Sequence, residues 1–202
     1  MSPSIRSVTR VMWTGLRAIL VLTVILGVIY PLVVTGLAQL IFPSQANGSM
    51  IKDSSGQVVG SALIGQSFSD AAGNPLPQYF QPRPSESGYD AMASGGSNLG
   101  PESGKLLETI EASQAEIASF NGVAIDDVPV DAVTASASGL DPDISPAYAA
   151  IQESRVAQAR NLPLAVVKQL VADHTSIPDL GYIGNSRVNI LELNLALDNY
   201  HG

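Results

Sequence analysis

His174 and His201 are the only imidazoles in the chain, and there is no cysteine. Zinc sites and nucleophile–base pairs draw mostly on these two residue types. The two histidines lie far apart in sequence, and His201 is the penultimate residue, so neither a histidine metal site nor a Ser-His triad is expected. Ser94-Gly95-Gly96-Ser97-Asn98-Leu99-Gly100 is glycine-rich but lacks the lysine of a phosphate-cradling loop, and it reads as a set of turns. Asp141-Pro142-Asp143 offers two carboxylates without the oxygen-rich continuation of a calcium loop, and it reads as an Asx-type turn. Five acids, Asp126, Asp127, Asp131, Asp141 and Asp143, fall together with no Lys or Arg among them. They read either as a solubilising face or as a field that gathers cations. No catalytic residue and no metal ligand is nominated.

The arginines are the other chemically informative residues. Arg83, Arg155, Arg160 and Arg187 stand in a region dominated by acids, where an arginine most often pairs with a carboxylate or with helix-end carbonyls. The alternative is a fork to a partner chain. Arg83 is the best candidate for a partner interface, because Pro82 and Pro84 stiffen the loop around it.

The distribution of charge sets the organisation that must position these groups. The formal net charge is -8, yet no acid precedes Asp53. Arg6, Arg10 and Arg17 are the only charges of the first 51 residues. Residues 18–38 are a run of mainly Ile, Leu and Val. As a helix they would extend roughly 32 Å, enough for a hydrocarbon core of about 30 Å. The length favours an uncleaved anchor over a signal peptide, although Gly36 and Ala38 have the small size of a cleavage site. Arginine on one side keeps residues 1–17 in the cytoplasm and sends residues 43–202 outside. Thr23, Gly27, Pro31 and Thr35 recur every four residues and share one face, where a partner helix could pack closely. The acidic balance argues against nucleic acid as a partner.

Residues 43–202 read as one small α+β domain. One or two short strands are expected within residues 58–68, and a long ordered loop or recognition surface over 74–104. A helix is predicted from Glu102 to Phe120, with Gly122 as its stop. Residues 128–135 read as strand or irregular. Ser145-Pro146 opens a helix to about Arg160 that buries Tyr148, Ile151, Ala159 and either the Arg155 stem or Val156. Leu162-Pro163 opens another to about Asp173. Residues 189–198 alternate like a strand, but Asn189 with Glu192 three residues on makes a near capping box, and a helix is chosen. From residues alone three classes stay open: an accessory subunit of a membrane complex, a membrane-anchored ligand-binding module, and an anchored enzyme.

Several segments, in order, resemble the C chain of the potassium-transporting ATPase, the KdpC family. They include Tyr30-Pro31, Gln45-Ala46-Asn47-Gly48-Ser49, Tyr79-Phe80-Gln81-Pro82-Arg83-Pro84-Ser85 and Ser94-Gly95-Gly96-Ser97-Asn98-Leu99-Gly100-Pro101. The run Val133-Thr134-Ala135-Ser136-Ala137-Ser138-Gly139-Leu140-Asp141-Pro142, then Arg187-Val188-Asn189 and Leu193-Asn194-Leu195-Ala196-Leu197, extend the match to the C-terminal end. The resemblance implies an inner-membrane complex of bacteria or archaea, in which a P-type ATPase chain hydrolyses ATP and a channel-like chain carries potassium. It implies that the C chain holds the assembly together and acts as a catalytic chaperone raising the ATP affinity of the hydrolysing chain. No intrinsic cofactor is implied; ATP would come through the partner. If nucleotide does touch this chain, Ser136, Ser138, Gly139 and Gln152 are the positions nominated, since their hydroxyl, backbone and amide groups can bond a base or ribose. Nothing nearby neutralises phosphates, and the arginine-flanked anchor places the domain away from cytoplasmic ATP.

Overall fold

A computed structural model of the chain describes residues 5–200, in two compact units divided between Ser49 and Met50. His201 and the start of the N-terminal tail lie outside the described residues. The first unit is a long helix, α1 (Ile5–Val24) and α2 (Tyr30–Ile41), joined by a π-helical turn over Ile25–Ile29. Pro31 explains the wider turn. Its ring would clash with the Gly27 carbonyl in a regular helix, and the chain relieves this by donating the Tyr30 N–H to the Ile25 carbonyl, five residues back. Residues 7–41 are long and apolar enough to cross a membrane, and none of them is buried within the chain. Phe42 breaks the helix, and a single turn, α3 (Pro43–Ala46), follows. The Gln39 and Asn47 amides bond each other reciprocally across this corner, at 3.3 and 3.1 Å.

The second unit opens with an antiparallel pair, β1 (Met50–Lys52) and β2 (Val58–Ser61). The Asp53 carboxylate closes its turn by accepting from the N–H groups of Ser55 and Gln57. A long connection leads to α4 (Gly104–Asn121), which stops at Gly122 in the left-handed region, φ 67°. There follow a helical turn α5 (Val130–Val133), β3 (Asp143–Ile144), α6 (Pro146–Arg160), α7 (Leu164–Asp173), β4 (Thr175–Ser176), β5 (Arg187–Asn189) and α8 (Ile190–Asp198). The small sheet is antiparallel in the order β3-β5-β4. The α+β architecture agrees with the sequence. Residues 128–135, expected as strand or irregular, instead form a 3-10 exit and the α5 turn, which follows Pro129 and is closed by the Thr134 hydroxyl on the Val130 carbonyl.

The core is built from Val156 and Ala149 of α6, Val167 and Val171 of α7, Val188 of β5, and Ile190, Leu193 and Leu197 of α8, closed around Phe80. In α6 Tyr148 and Val156 are buried as expected, but Ala159 is exposed and Ala157 takes its place where α7 packs against the helix.

The start of α6 is capped twice. The Ser145 hydroxyl accepts from the Tyr148 N–H at 3.0 Å and donates to Asp131 at 2.8 Å, while the Ser145 N–H also bonds the Asp131 carboxylate. Ser145→Ala removes the cap and half of the tie to α5, and is expected to cost about 1–2 kcal/mol. The urea midpoint of the full chain in detergent measures this; an unchanged midpoint would show the cap to be idle.

Candidate functional site

The segment from Pro77 to Pro84 threads through the domain as a strap, and side chains rather than a neighbouring strand hold its backbone. Asn194 of α8 accepts from the Phe80 N–H and donates to the Phe80 carbonyl, at 2.9 and 3.0 Å. Gln152 of α6 does the same for Gln81, at 2.7 and 3.1 Å. Two amides thus imitate a β-ladder on successive residues. Arg155 donates to the carbonyls of Pro77 and Tyr79, Arg160 to that of Gln78, and Tyr89 to that of Arg83. The Arg155 guanidinium is buried, lies 4.4 Å from the centre of the Phe120 ring, and also bonds Asn121 and Gln152. The oxygens it bonds are those of amides and carbonyls, not carboxylates. Burial pulls its pKa down to about 10, so it stays charged at neutral pH. Part of the expected recognition loop is therefore core.

The nominated Ser136, Ser138 and Gly139 share one turn, and the glycine-rich run docks against it. Gly95 N–H and the Ser94 hydroxyl both bond the Ser138 carbonyl, Ser85 bonds the Gly139 carbonyl, and the Ser136 N–H bonds Pro84. Residues 94–100, expected as turns, instead run without a hydrogen-bonded backbone turn: Ser94 and Gly95 bond Ser138, Gly96 lies against Ala137, and Asn98 sits at φ 53°. Gly139 sits at φ 71°, and a Cβ there would meet the Gly95 carbonyl at 2.7 Å, so only glycine fits. Gln152 is not brought to this turn: it is wholly buried and bonds Gln81 and Arg155.

Arg83 forks between Asp141, at 2.8 Å, and the Thr134 carbonyl. A broad depression of about 720 Å³ beside the Ser136–Ser138 turn has Arg83 as its only cation, and Asp141 already neutralises it. A second cavity of about 260 Å³, between the strap prolines and Ile117 and Phe120 of α4, has no Lys or Arg in its walls. Neither offers a phosphate a free positive group. Of the five clustered acids, Asp141 pairs with Arg83, Asp143 with Arg187 at 3.2 Å, and Asp131 ties down Ser145. Burial raises the Asp143 pKa despite Arg187. His174 Nδ1 lies 2.8 Å from the Leu170 carbonyl, and among the described residues no group of three His, Cys, Asp or Glu is placed to hold a metal ion. The arrangement is a stiff scaffold, in which the polar groups bond one another.

A family model described as KdpC, the c chain of the K+-transporting ATPase, matches residues 12–199. The chain belongs to the KdpC family. It is 54% identical to a potassium-transporting ATPase KdpC subunit of Gemmatimonas aurantiaca, over 93% of this chain and 94% of that one. It is 51% identical to the KdpC subunits of Acidobacterium capsulatum, over 96% and 97% of the two chains, and of Mycobacterium bovis, over 91% and 95%. The other nominated residues lie in the helix of the first unit. A Cβ on Gly27 would find only the Thr23 methyl, at 3.9 Å. Thr23, Gly27, Pro31 and Thr35 all lie in this exposed helix, with Gly27 beside Thr23. The strap was missed by sequence reasoning, although a signal existed: Gln152 and Asn194 are amides at helical spacing from the buried apolar residues of their helices.

Proposed function

We propose that this chain is the C subunit of an ATP-driven potassium uptake complex, a non-catalytic accessory chain that holds a channel-like chain and a P-type ATPase chain together. The observation that carries the reading is a membrane-length helix with no side chain buried by its own chain, in a family whose relatives are named as potassium-transporting ATPase subunits. A helix exposed all round finds its packing partners in other membrane chains or in lipid. The arginines before it favour a cytoplasmic N-terminus and an external domain in a bacterial or archaeal cell membrane. The chain needs no cofactor of its own. Any gain in ATP affinity is passed to the hydrolysing chain through assembly, since neither of the two cavities described above offers phosphates an unpaired cation.

The tagged chain, purified in mild detergent, is expected to bring two large membrane chains with it. Gly27→Leu fills the expected packing face and should reduce the recovered partners roughly fivefold, the effect of about 1 kcal/mol at a membrane helix contact, whereas Leu26→Ile should leave them. Equal recovery with both variants would exclude that face as the contact. Partners that never co-purify with the wild-type chain would exclude the subunit reading. A C-terminal reporter that works only in the cytoplasm should stay silent.

A further inference from the structure

Between β4 and β5 the chain makes an excursion, residues 177–186, that ends in a tight hairpin. Asp179 and Ile183 exchange both backbone hydrogen bonds at 2.9 Å, and Gly181 and Tyr182 bond back to Pro178 and Asp179. Leu180 is held at φ 54°, in the left-handed region that leucine rarely occupies, with Gly181 at 83° and Gly184 at 88° beside it. On this fixed frame stand four large apolar side chains. Leu180 is 81% and Tyr182 76% exposed, and Ile177 and Ile183 are exposed with them. Elsewhere in the domain Met92, Leu107 and Val130 are exposed singly, and Leu63 and Ile64 as a pair beside the Ser136–Ser138 depression. Clustered apolar groups left in water mark an interaction site, and a frame already rigid loses little freedom on docking.

Charge decides what covers the cluster. The domain carries seven basic and eighteen acidic side chains. Arg83, Arg160 and Arg187 are paired with carboxylates and Arg155 is buried. Three lysines are left to face the remaining acids, and Asp179 sits within the hairpin itself. A bilayer of anionic phospholipid would repel such a surface, and so would a second copy of it. An apolar protein pocket with a basic rim suits both the side chains and the field. Resting on the subunit reading above, we infer that the hairpin at residues 177–183 is the prong by which this domain docks into an apolar pocket, rimmed by Lys or Arg, on a partner chain of the transporter.

The test uses the full chain co-expressed with its partner chains. Leu180→Glu should lower the recovered partners about tenfold, the scale of a buried anchor residue. Leu180→Gly, which removes the side chain where the backbone favours glycine, should lower them without loss of thermal stability. Leu107→Glu adds the same charge at another exposed leucine and should change nothing. Because the chain has no cysteine, Leu180→Cys accepts a single polarity-sensitive dye, whose emission should shift to the blue in the assembled complex only. A complex that both Leu180 variants leave intact overturns the docking inference alone. A blue shift in nanodiscs holding this chain without partners also overturns it, in favour of lipid or self-association. A wild-type chain that purifies by itself overturns the subunit reading and the docking inference together.

Discussion

Arg155→Met is expected to destabilise the domain by about 4 kcal/mol, a large share of the roughly 5–15 kcal/mol that holds a domain folded. Arg155 holds four acceptors at once: the Asn121 and Gln152 side-chain oxygens and the Pro77 and Tyr79 carbonyls. Two of these keep another donor when it is lost, because Gln152 still receives the Gln81 N–H and Tyr79 still receives the Gln81 amide. Asn121 Oδ1 and the Pro77 carbonyl lose the donor that Arg155 supplies. The buried Asn121 acceptor left unmet costs about 1–3 kcal/mol, the carbonyl of the exposed Pro77 less, and the contact with the Phe120 face adds about 1 kcal/mol or more. Carrying a charge into the interior without a carboxylate is itself a cost, which methionine removes, so the net stays near the stated figure. Arg155→Lys keeps the charge but not the planar fork, and should recover only part of the loss. Hydrogen exchange of the α6 and α8 amides in the full chain measures both variants. Native-like protection in Arg155→Met would show that the strap stands without its guanidinium.

What was readable beforehand was local. The Ser145-Pro146 start, the Asn189–Glu192 cap and the Gly122 stop each depend on neighbours within a few residues, and all three appear in the structure. The sheet pairing was not readable, because β3 and β4 are two residues each and too short to show alternation. The α5 turn was obscured by β-branched residues whose conformation is decided by the reach of Asp131 to Ser145. The strap was hidden for a different reason. A strand is recognised by alternation against another strand, and here the ladder is made by two side-chain amides more than 70 residues away in sequence. Proline at 77, 82 and 84 suggested a loop, correctly for backbone type, while Phe80 between them is fully buried. The prong at residues 177–183 gave no sign at all, since its meaning lies in exposure and in a left-handed leucine.

The two amides should reveal themselves through coupling. Asn194→Leu is close in size to the original and leaves both polar atoms of the Phe80 backbone unmet, with an expected cost of about 2–4 kcal/mol. Gln152→Leu does the same to Gln81 and takes one acceptor from Arg155, with a similar cost. The double variant should cost less than the sum by about 1–2 kcal/mol, because a strap freed at one residue lets water reach the next, and the second loss then falls on groups already hydrated. Denaturant unfolding of the four proteins, followed by the tyrosine signal of the full chain, gives the coupling. Strict additivity would mean that the amides act on separate structures and that Phe80 and Gln81 do not move as one segment. The same variants weigh the scaffold role of Gln152 against its nomination for nucleotide. In the assembled transporter a scaffold residue should lower the amount of intact complex and leave the KM for ATP of the surviving complex unchanged. A raised KM at full assembly and full stability would instead return Gln152 to the nucleotide.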